Sequence, residues 1–290
     1  MKNMNRRDFI KQAMAGVGAL AIPLTATEGK ILQSSQKHFA ANDRVLLGKT
    51  GIETSRLALG SGTVGGNKQS NQTRLGTEKF VALMRHGFDR GITFWDAADQ
   101  YGSMPYFREV LKYVPRDKVT ILTKSNSRDA DGMKQDIERF RKELGTDVID
   151  VLLLHCVTED GWTKKLQKTM DVLSDAKEKG IIRTYGCSCH SVDALQDAVK
   201  SPWTQFILAR VNHAGSRMDA EPSKVVPVLK EGHEAGKVIM GMKIIGQGDL
   251  KNQIDQSLKF VLNLGFVDAM TVGFESIKEM DDVIERIAKV

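Results

Sequence analysis

The stretch Leu144-Gly145-Thr146-Asp147-Val148-Ile149-Asp150-Val151-Leu152-Leu153-Leu154-His155 carries the strongest structural signal in this chain. It reads as the end of a helix, a short turn, and an apolar strand over residues 149 to 155 that finishes on a polar side chain. A polar residue at the end of a buried strand is where α/β barrels keep their reactive groups. The stretch therefore predicts a barrel strand, with His155 as a candidate site residue.

Two earlier runs of the chain have the same form. Ile92-Thr93-Phe94-Trp95-Asp96 ends on a carboxylate, and Val119-Thr120-Ile121-Leu122-Thr123-Lys124 ends on an ammonium group. Tyr101 follows Asp96 by five residues. We therefore expect Asp96, Tyr101, Lys124 and His155 to form one site at the strand ends.

These four side chains suit the reduction of a carbonyl group. A phenol with a pKa of about 10 is a poor proton donor near pH 7 unless a neighbouring cation stabilises its phenolate. Lys124 could be that cation for Tyr101, and Asp96 would hold the ammonium charged and oriented. His155 could donate a hydrogen bond to the substrate oxygen. The alternative is a buried Asp/Lys pair and a strand-end histidine that only complete a hydrogen-bond network.

Four segments closely resemble the aldo-keto reductase family: residues 94–102, the Thr123-Lys124 pair, residues 144–155, and the opening residues 47–60. The likeness covers roughly residues 44 to 290, and the segments follow one another in family order. The resemblance implies a (β/α)8 barrel and a nicotinamide dinucleotide cofactor. It also implies a catalytic tetrad made of Asp96, Tyr101, Lys124 and His155. Asp99, in the same turn, is interpreted as a turn or capping carboxylate.

Beyond residue 44 the chain alternates between strand and helix patterns, which predicts a parallel (β/α)8 TIM barrel. The eight strands are predicted near residues 57–61, 92–96, 119–124, 149–155, 182–188, 206–211, 238–243 and 268–273. The helices are predicted over Lys79 to Arg90, Met104 to Tyr113, Lys134 to Leu144, Thr163 to Lys179, Val192 to Lys200, Ser223 to Ala235, Gln253 to Leu262 and Ile277 to Lys289. A hairpin over residues 45–55, turning at Lys49-Thr50-Gly51, is expected to close the barrel floor.

The resemblance places the cofactor at the later strand ends, where this chain departs from the family pattern. Ser188 is retained, but Cys189 replaces the Asn that would bind the carboxamide. Arg210 occupies the usual Gln position, and Lys243 falls where an aromatic residue commonly stacks on the nicotinamide ring. Another interpretation gives Arg210 and Lys243 buried ion pairs with nearby acids.

After the eighth strand, Gly273, Glu275 and Ser276 precede a helix whose free amides could meet a cofactor phosphate. Glu275 and Glu279 would repel a 2′-phosphate, so the choice between NAD and NADP leans to NAD. An equal alternative is that Ser276 only caps the helix, with Glu279 completing a capping box. The full set of predicted cofactor residues is Gly60, Ser188, Cys189, Arg210, Lys243, Gly273, Glu275 and Ser276.

Composition is that of one large globular domain, with 290 residues, 41% of them hydrophobic and 27% charged. No apolar run reaches the roughly 18 to 20 residues of a membrane span. The net charge is +6, but the lysines are interspersed with acidic residues on the predicted helices, which is typical of a solvated surface. Aromatic residues make up only 6% of the chain, so nucleic-acid binding is not expected. Cys187 and Cys189 are too close in sequence for a disulfide, and no metal site is predicted.

The N-terminus differs in composition from the rest of the chain. Asn5-Arg6-Arg7-Asp8-Phe9 precedes a small apolar stretch over residues 13–23, a pattern that resembles a twin-arginine (Tat) export signal. Cleavage is expected after Ala26 or nearer Ala41, with residues 27–43 as a linker. The protein is thus expected to meet the Tat translocation machinery, to fold before export to the periplasm, and to keep no membrane anchor.

The leading hypothesis is a periplasmic oxidoreductase that uses NAD(P)H to reduce an aldehyde or ketone, with Tyr101 as the general acid. The alternative is an exported, non-catalytic barrel that binds a carbonyl or sugar ligand and has weakened or lost cofactor binding. A third hypothesis, a Schiff-base enzyme using Lys124, is disfavoured because Asp96 would keep the lysine charged.

Overall fold

The computed structural model describes residues 38 to 290, and the predicted export signal and most of the predicted linker lie outside this range. Eight parallel strands pair in chain order and close into a barrel, because the last strand pairs with the first. The barrel strands are β3 (Leu57–Gly60), β4 (Phe94–Asp96), β5 (Thr120–Ser125), β6 (Ile149–Val157), β7 (Ile182–Cys189), β8 (Phe206–Arg210), β9 (Val238–Met242) and β10 (Ala269–Gly273). The predicted (β/α)8 architecture is confirmed.

Helices connect successive strands and cover the outside of the barrel. They are α1 (Asn71–Arg74), α2 (Thr77–Asp89), α3 (Met104–Val110), α4 (Ala130–Leu144), α5 (Trp162–Lys165), α6 (Gln167–Glu178), α7 (Val192–Lys200), α8 (Pro222–Glu234), α9 (Ile254–Asn263) and α10 (Ile277–Ile287). Short 3₁₀ turns lie at Asp99–Tyr101, Arg116–Lys118 and Gly246–Gly248. None of the helices in residues 38 to 290 has the length and apolar character needed to cross a membrane.

Two apolar layers follow from the alternation of side chains along each strand. In β6, Val151 and Leu153 point into the barrel interior, whereas Leu152 and Leu154 pack in the layer between the barrel and the helices. All four side chains are fully buried. A strand buried on both faces must be apolar throughout, which explains the unbroken run that the sequence shows here.

A hairpin closes the end of the barrel at which the strands begin. Its strands, β1 (Arg44–Leu46) and β2 (Glu53–Ser55), pair antiparallel. Leu47 and Ile52, at its inner edge, are fully buried and join the interior cluster of the barrel. The predicted floor hairpin is therefore present, and the opposite end of the barrel remains open for a site.

Candidate active site

The four predicted catalytic side chains line one cavity of about 990 Å³. The cavity lies at the end of the barrel where the strands finish. Five predicted cofactor residues, namely Gly60, Arg210, Lys243, Gly273 and Glu275, line it as well. A volume at the upper end of the roughly 300 to 1,000 Å³ typical of ligand sites is large enough for a dinucleotide. The structure therefore brings nine of the twelve predicted site residues to one cavity at this end of the barrel.

A buried ion pair joins the strands that carry Asp96 and Lys124. The side chain of Lys124 is 1% exposed, and that of Asp96 is 8% exposed. The ammonium donates to Asp96 Oδ1 and, at 2.6 Å, to the carbonyl oxygen of Ala97. Thr271 Oγ1 donates to the other carboxylate oxygen at 2.9 Å. Each charge is thus compensated where water cannot reach it, as a buried pair requires.

Tyr101 is held by a glycine-rich loop that follows the first barrel strand. We call residues 62–66, which contain Gly62, Gly65 and Gly66, the glycine loop. A Cβ added at Gly62 would lie 2.2 Å from Cε2 of Tyr101, and one at Gly65 would lie 2.4 Å from Cδ1. The ring therefore packs directly on loop backbone that only glycine allows.

Asp99 fixes the 3₁₀ turn that presents Tyr101. Its carboxylate accepts from Lys68 and, at 2.6 Å, from Arg139 Nη1. These bonds with Lys68 and Arg139 lower the pKa of Asp99, although burial opposes them with the largest single effect. The backbone amide of Lys68 also donates to Gln100 O at 2.9 Å. Asp99 is therefore more than a local turn residue, because it ties the turn to α4 and to the loop after β3.

His155 meets Tyr101 edge to face, with 5.6 Å between the ring centres and 87° between the planes. The side chain is buried, and Nδ1 has no partner among the described residues. Burial lowers the pKa of His155 to about 2, and Lys124 and other nearby cations lower it further. The ring is therefore neutral at ordinary pH, and a neutral imidazole can donate one hydrogen bond to a substrate oxygen.

The pKa of Tyr101 differs from the expectation that the neighbouring Lys124 would stabilise the phenolate and so lower this pKa. Burial raises the pKa of Tyr101 well above 10.0, and electrostatic interactions with Asp96 and Cys156 raise it further. Lys124 Nζ lies 4.9 Å from the centre of the tyrosine ring, but its two hydrogen bonds go to Asp96 and Ala97. The lysine charge is therefore balanced by Asp96 in this arrangement, and the phenol keeps its proton.

A second histidine lies beside His155 and was not predicted as part of the catalytic or cofactor site. Arg210 donates to Nδ1 of His190, and Nε2 of the same ring lies 3.7 Å from Cys156 Sγ. Because an arginine only donates, Nδ1 must accept, which leaves the proton of the neutral ring on Nε2. The pKa of His190 is about 3, lowered first by burial and then by Arg210.

Arg210 and Lys243 have different partners. Arg210 Nη1 donates at 3.0 Å to Asp219, whose side chain is 2% exposed, so the ion-pair alternative holds for Arg210. Lys243 Nζ donates at 3.0 Å to the neutral amide oxygen of Gln247. Burial lowers the pKa of Lys243, followed by the charges of Arg210 and Lys124. Arg210 Nε is buried without a hydrogen-bond partner among the described residues.

Three predicted cofactor residues do not line the cavity. Cys189 is fully buried, and its thiol lies 3.8 Å from Ala194 O, in the layer between barrel and helices. Ser188 Oγ accepts from the amide of Cys156 at 2.9 Å. Ser276 caps α10 by accepting from Glu279 N at 3.2 Å, which is the alternative role considered for it. Strand alternation explains Cys189, because its neighbour Ser188 takes the opposite face.

The ends of β3 and β10 form a close-packed wall of the cavity. Gly60 and Gly273 are partners in the strand register. A Cβ at Gly273 would lie 2.3 Å from Thr63 Oγ1, so only glycine fits. Glu275 lines the cavity beyond this wall, and its amide donates to Glu279 at 2.8 Å. Two carboxylates thus lie beside the N-terminus of α10, and their negative charge would repel a phosphate group at this position.

Several site residues were missed from sequence. Thr271, which bonds Asp96, stands inside an apolar strand pattern and gives no local signal of its role. The glycine loop did have a signal, since three glycines within five residues directly follow a barrel strand. Within residues 38 to 290, no three His, Cys, Asp or Glu side chains come together as metal ligands. Cys187 and Cys189 are free thiols with 3.6 Å between their sulfur atoms.

The closed parallel barrel and the polar cavity at its strand ends define a (β/α)8 barrel enzyme with a tyrosine, a lysine, an aspartate and a histidine at one site. Residues 56–289 match the model of the aldo/keto reductase family, and the chain belongs to that family. It is accordingly an NAD(P)-dependent oxidoreductase of the aldo-keto reductase type.

Proteins similar to this chain include the uncharacterized oxidoreductase YqkF of Bacillus subtilis, 24% identical over 83% of this chain and 77% of that protein. Among solved structures, the holo form of aldo-keto reductase AKR11C1 from Bacillus halodurans has a TM-score of 0.70 at 18% identity, covering 86% of this chain and 91% of that one. An aldo-keto reductase from Klebsiella pneumoniae in complex with NADPH has a TM-score of 0.63 at 17% identity, covering 84% and 89%.

Proposed function

We propose that this protein reduces an aldehyde or ketone, or oxidises the matching alcohol, with Tyr101 as the general acid. The observation that carries the proposal is the convergence of Asp96, Tyr101, Lys124 and His155 on one cavity. Family membership supports the reaction class, and the shared cavity supports the roles that we propose for the four residues.

The carbonyl oxygen of the substrate binds between Tyr101 and His155, whose rings meet edge to face. A reduced nicotinamide dinucleotide, which Arg210, Lys243 and Glu275 on the cavity wall would hold, would supply the hydride. Tyr101 gives its proton to the oxygen, which completes the alcohol and leaves a phenolate. Lys124, 4.9 Å from the ring centre, is the cation placed to stabilise that phenolate, and Asp96 keeps it oriented. His155 stays neutral, because its pKa is about 2.

For the cofactor, we propose NAD rather than NADP. Glu275 and Glu279 both line the cavity at the N-terminus of α10. Carboxylates there repel a 2′-phosphate and can accept a hydrogen bond from a 2′-hydroxyl. Comparing the Kd values of NADH and NADPH tests this choice. Tighter binding of NADPH would refute it.

The test of the general acid is carbonyl-dependent oxidation of NADH and NADPH, measured with a panel of aldehydes and ketones. Tyr101→Phe removes only the phenol oxygen, and we expect kcat to fall by about 10² to 10⁴, the usual contribution of a general acid. Tyr106→Phe is the matched control, because Tyr106, on α3, packs against Phe80 of α2 and does not line the cavity. Full activity in Tyr101→Phe would remove the proposed role.

Two observations favour the second candidate, a barrel that binds a carbonyl or sugar ligand without turnover. Lys124 directs its hydrogen bonds to Asp96 and Ala97, and Cys189 lies away from the cavity. Both features weaken a reductase site. Titration of the protein with NADH and NADPH separates the two candidates, since a non-catalytic barrel binds neither at micromolar concentration.

We also propose export through the Tat route, on the basis of Arg6-Arg7 and the small apolar residues that follow them. Fractionation of cells that express the full chain tests the proposal. The protein should reach the periplasm, and a variant with Arg6→Lys and Arg7→Lys should stay in the cytoplasm. Equal distribution of the two proteins would overturn it.

A further inference from the structure

We infer that Lys243 makes this site bind the reduced nicotinamide dinucleotide more tightly than the oxidised form. The inference rests on the proposed function, because it requires that cofactor in the cavity. It concerns the redox state of the cofactor, which none of the catalytic roles above determines.

The strand order places Lys243 across the cavity from the catalytic side chains. In a closed barrel of eight strands, β9 stands opposite β5, and β8 stands opposite β4. Lys243 directly follows β9, and Lys124 lies on β5. Arg210 ends β8, and Tyr101 follows β4. A ring that delivers hydride to a carbon held at Tyr101 must therefore lie between these two walls.

Lys243 differs from the other cations that line the cavity in having a neutral partner. Lys124 is paired with Asp96, Arg210 with Asp219 at 3.0 Å, and Arg217 with Asp249 at 2.8 Å. Lys243 is half-buried and donates to the amide oxygen of Gln247. Lys251 also lacks a carboxylate within 4.0 Å among the described residues, but it is exposed at the rim.

The pKa values of the neighbouring titratable groups are consistent with a positive electrostatic potential in the cavity. The pKa values of His155 and His190 are lowered first by burial, and Lys243 is among the charges that lower both further. The pKa of Lys243 itself is lowered first by burial and then by Arg210 and Lys124, whereas Asp96 opposes the shift. The cavity centre therefore disfavours any additional positive charge.

This field acts differently on the two forms of the cofactor. The oxidised nicotinamide ring carries a positive charge, whereas the reduced ring is neutral. A nearby ammonium group that is paired with an amide oxygen instead of a carboxylate raises the free energy of the oxidised complex and leaves the reduced complex almost unaffected. The structure thus predicts a preference for the reduced dinucleotide, without any contact that distinguishes the shapes of the two rings.

The test is a pair of binding measurements at one pH and ionic strength: NADH by its fluorescence and NAD⁺ by calorimetry. We expect the Kd for NAD⁺ to exceed that for NADH by about tenfold or more, given one uncompensated charge near the ring. Lys243→Met should reduce this ratio by about fivefold, chiefly by tightening NAD⁺. Lys243→Arg should preserve the ratio, because it keeps the charge.

Lys134→Met serves as the control, because this lysine is exposed on α4, outside the cavity, and its loss should leave the ratio unchanged. An unchanged ratio in Lys243→Met, with both nucleotides still bound, overturns the inference alone. Equal weakening of both nucleotides also overturns it, because it would give Lys243 a role in general binding. Absence of binding by either nucleotide removes the proposed function together with the inference.

Discussion

Lys124 and Asp96 should depend on each other for stability as well as for the chemistry that we propose. Lys124→Met would leave the Asp96 carboxylate buried, with Thr271 as its remaining side-chain donor. We expect the free energy of unfolding to fall by about 3 to 5 kcal/mol, the usual cost of removing one partner from a buried pair. Urea denaturation followed by circular dichroism measures this change.

The double variant Lys124→Met with Asp96→Asn separates the two roles. A neutral amide needs no compensating charge, so part of the lost stability should return, whereas activity should not. If the double variant were as unstable as the single one, the unpaired carboxylate would not be the cause.

The candidate catalytic residues that the sequence predicted are polar side chains that lie at or near the ends of apolar strands. Asp96, Lys124 and His155 are charged or polar groups within or ending apolar runs, which makes them conspicuous. Cys189 shows the limit of this reasoning, because a shift of one position along a strand moves a side chain to the other face. Thr271 was missed because threonine is common in strands.

At the scale of elements, the glycine loop governs the position of Tyr101. Gly62→Ala would put a methyl group 2.2 Å from the tyrosine ring, so the ring must move. Because catalysis depends on placement within fractions of an ångström, we expect kcat to fall by about 10²-fold. Steady-state kinetics measure the effect.

Gly66→Ala is the matched control for that variant. It lies in the same loop, and a Cβ there meets no atom within 4 Å. Its kcat should remain close to that of the parent protein. Equal losses in Gly62→Ala and Gly66→Ala would point to general disturbance of the loop instead of contact with the ring.

The floor hairpin should contribute to stability through two buried side chains. Ile52 is fully buried in the barrel interior, so Ile52→Ala should lower the free energy of unfolding by about 2 to 5 kcal/mol. Leu46→Ala, in the same hairpin but 58% exposed, should change it by less than about 0.5 kcal/mol. Chemical denaturation compares the two variants, and similar losses would contradict the plugging role.

The element pattern could be predicted because strand and helix periods alternate clearly. All eight strands lie within two residues of their predicted ends. The four-residue helix α1 was missed, because one turn has no detectable period. The predicted helix over 163–179 is two helices, which meet at Leu166. Helix α4 begins four residues before its predicted start, because Asp129 caps it and Gly132 lies in its first turn.

For the whole molecule, His155 makes stability depend on pH. Its pKa is about 2 in the folded protein, against an ordinary value of 6.5. As the pH falls below 6.5, His155 becomes protonated in the unfolded chain but stays neutral in the folded protein, so unfolding becomes more favourable. The contribution is complete above pH 6.5 and declines towards pH 2. Between pH 6.5 and 5, we expect a loss of about 2 kcal/mol from this residue.

Urea denaturation at pH 7 and pH 5 measures this loss. His155→Gln has no ring to protonate, and its stability should fall less over that interval. His38→Gln, at an exposed position, should behave like the parent protein. Identical pH dependence in His155→Gln and the parent would rule out His155 as the source.

The face of the barrel that the hairpin closes is also the suitable face for attaching the protein to a solid support. Ala41 O accepts from the amide of Leu57 where the first barrel strand starts, so the described chain enters on the face opposite the cavity. Coupling to a bead or an electrode through this face would turn the mouth towards the surrounding liquid. A reagent dissolved there would then reach Tyr101 without passing the support.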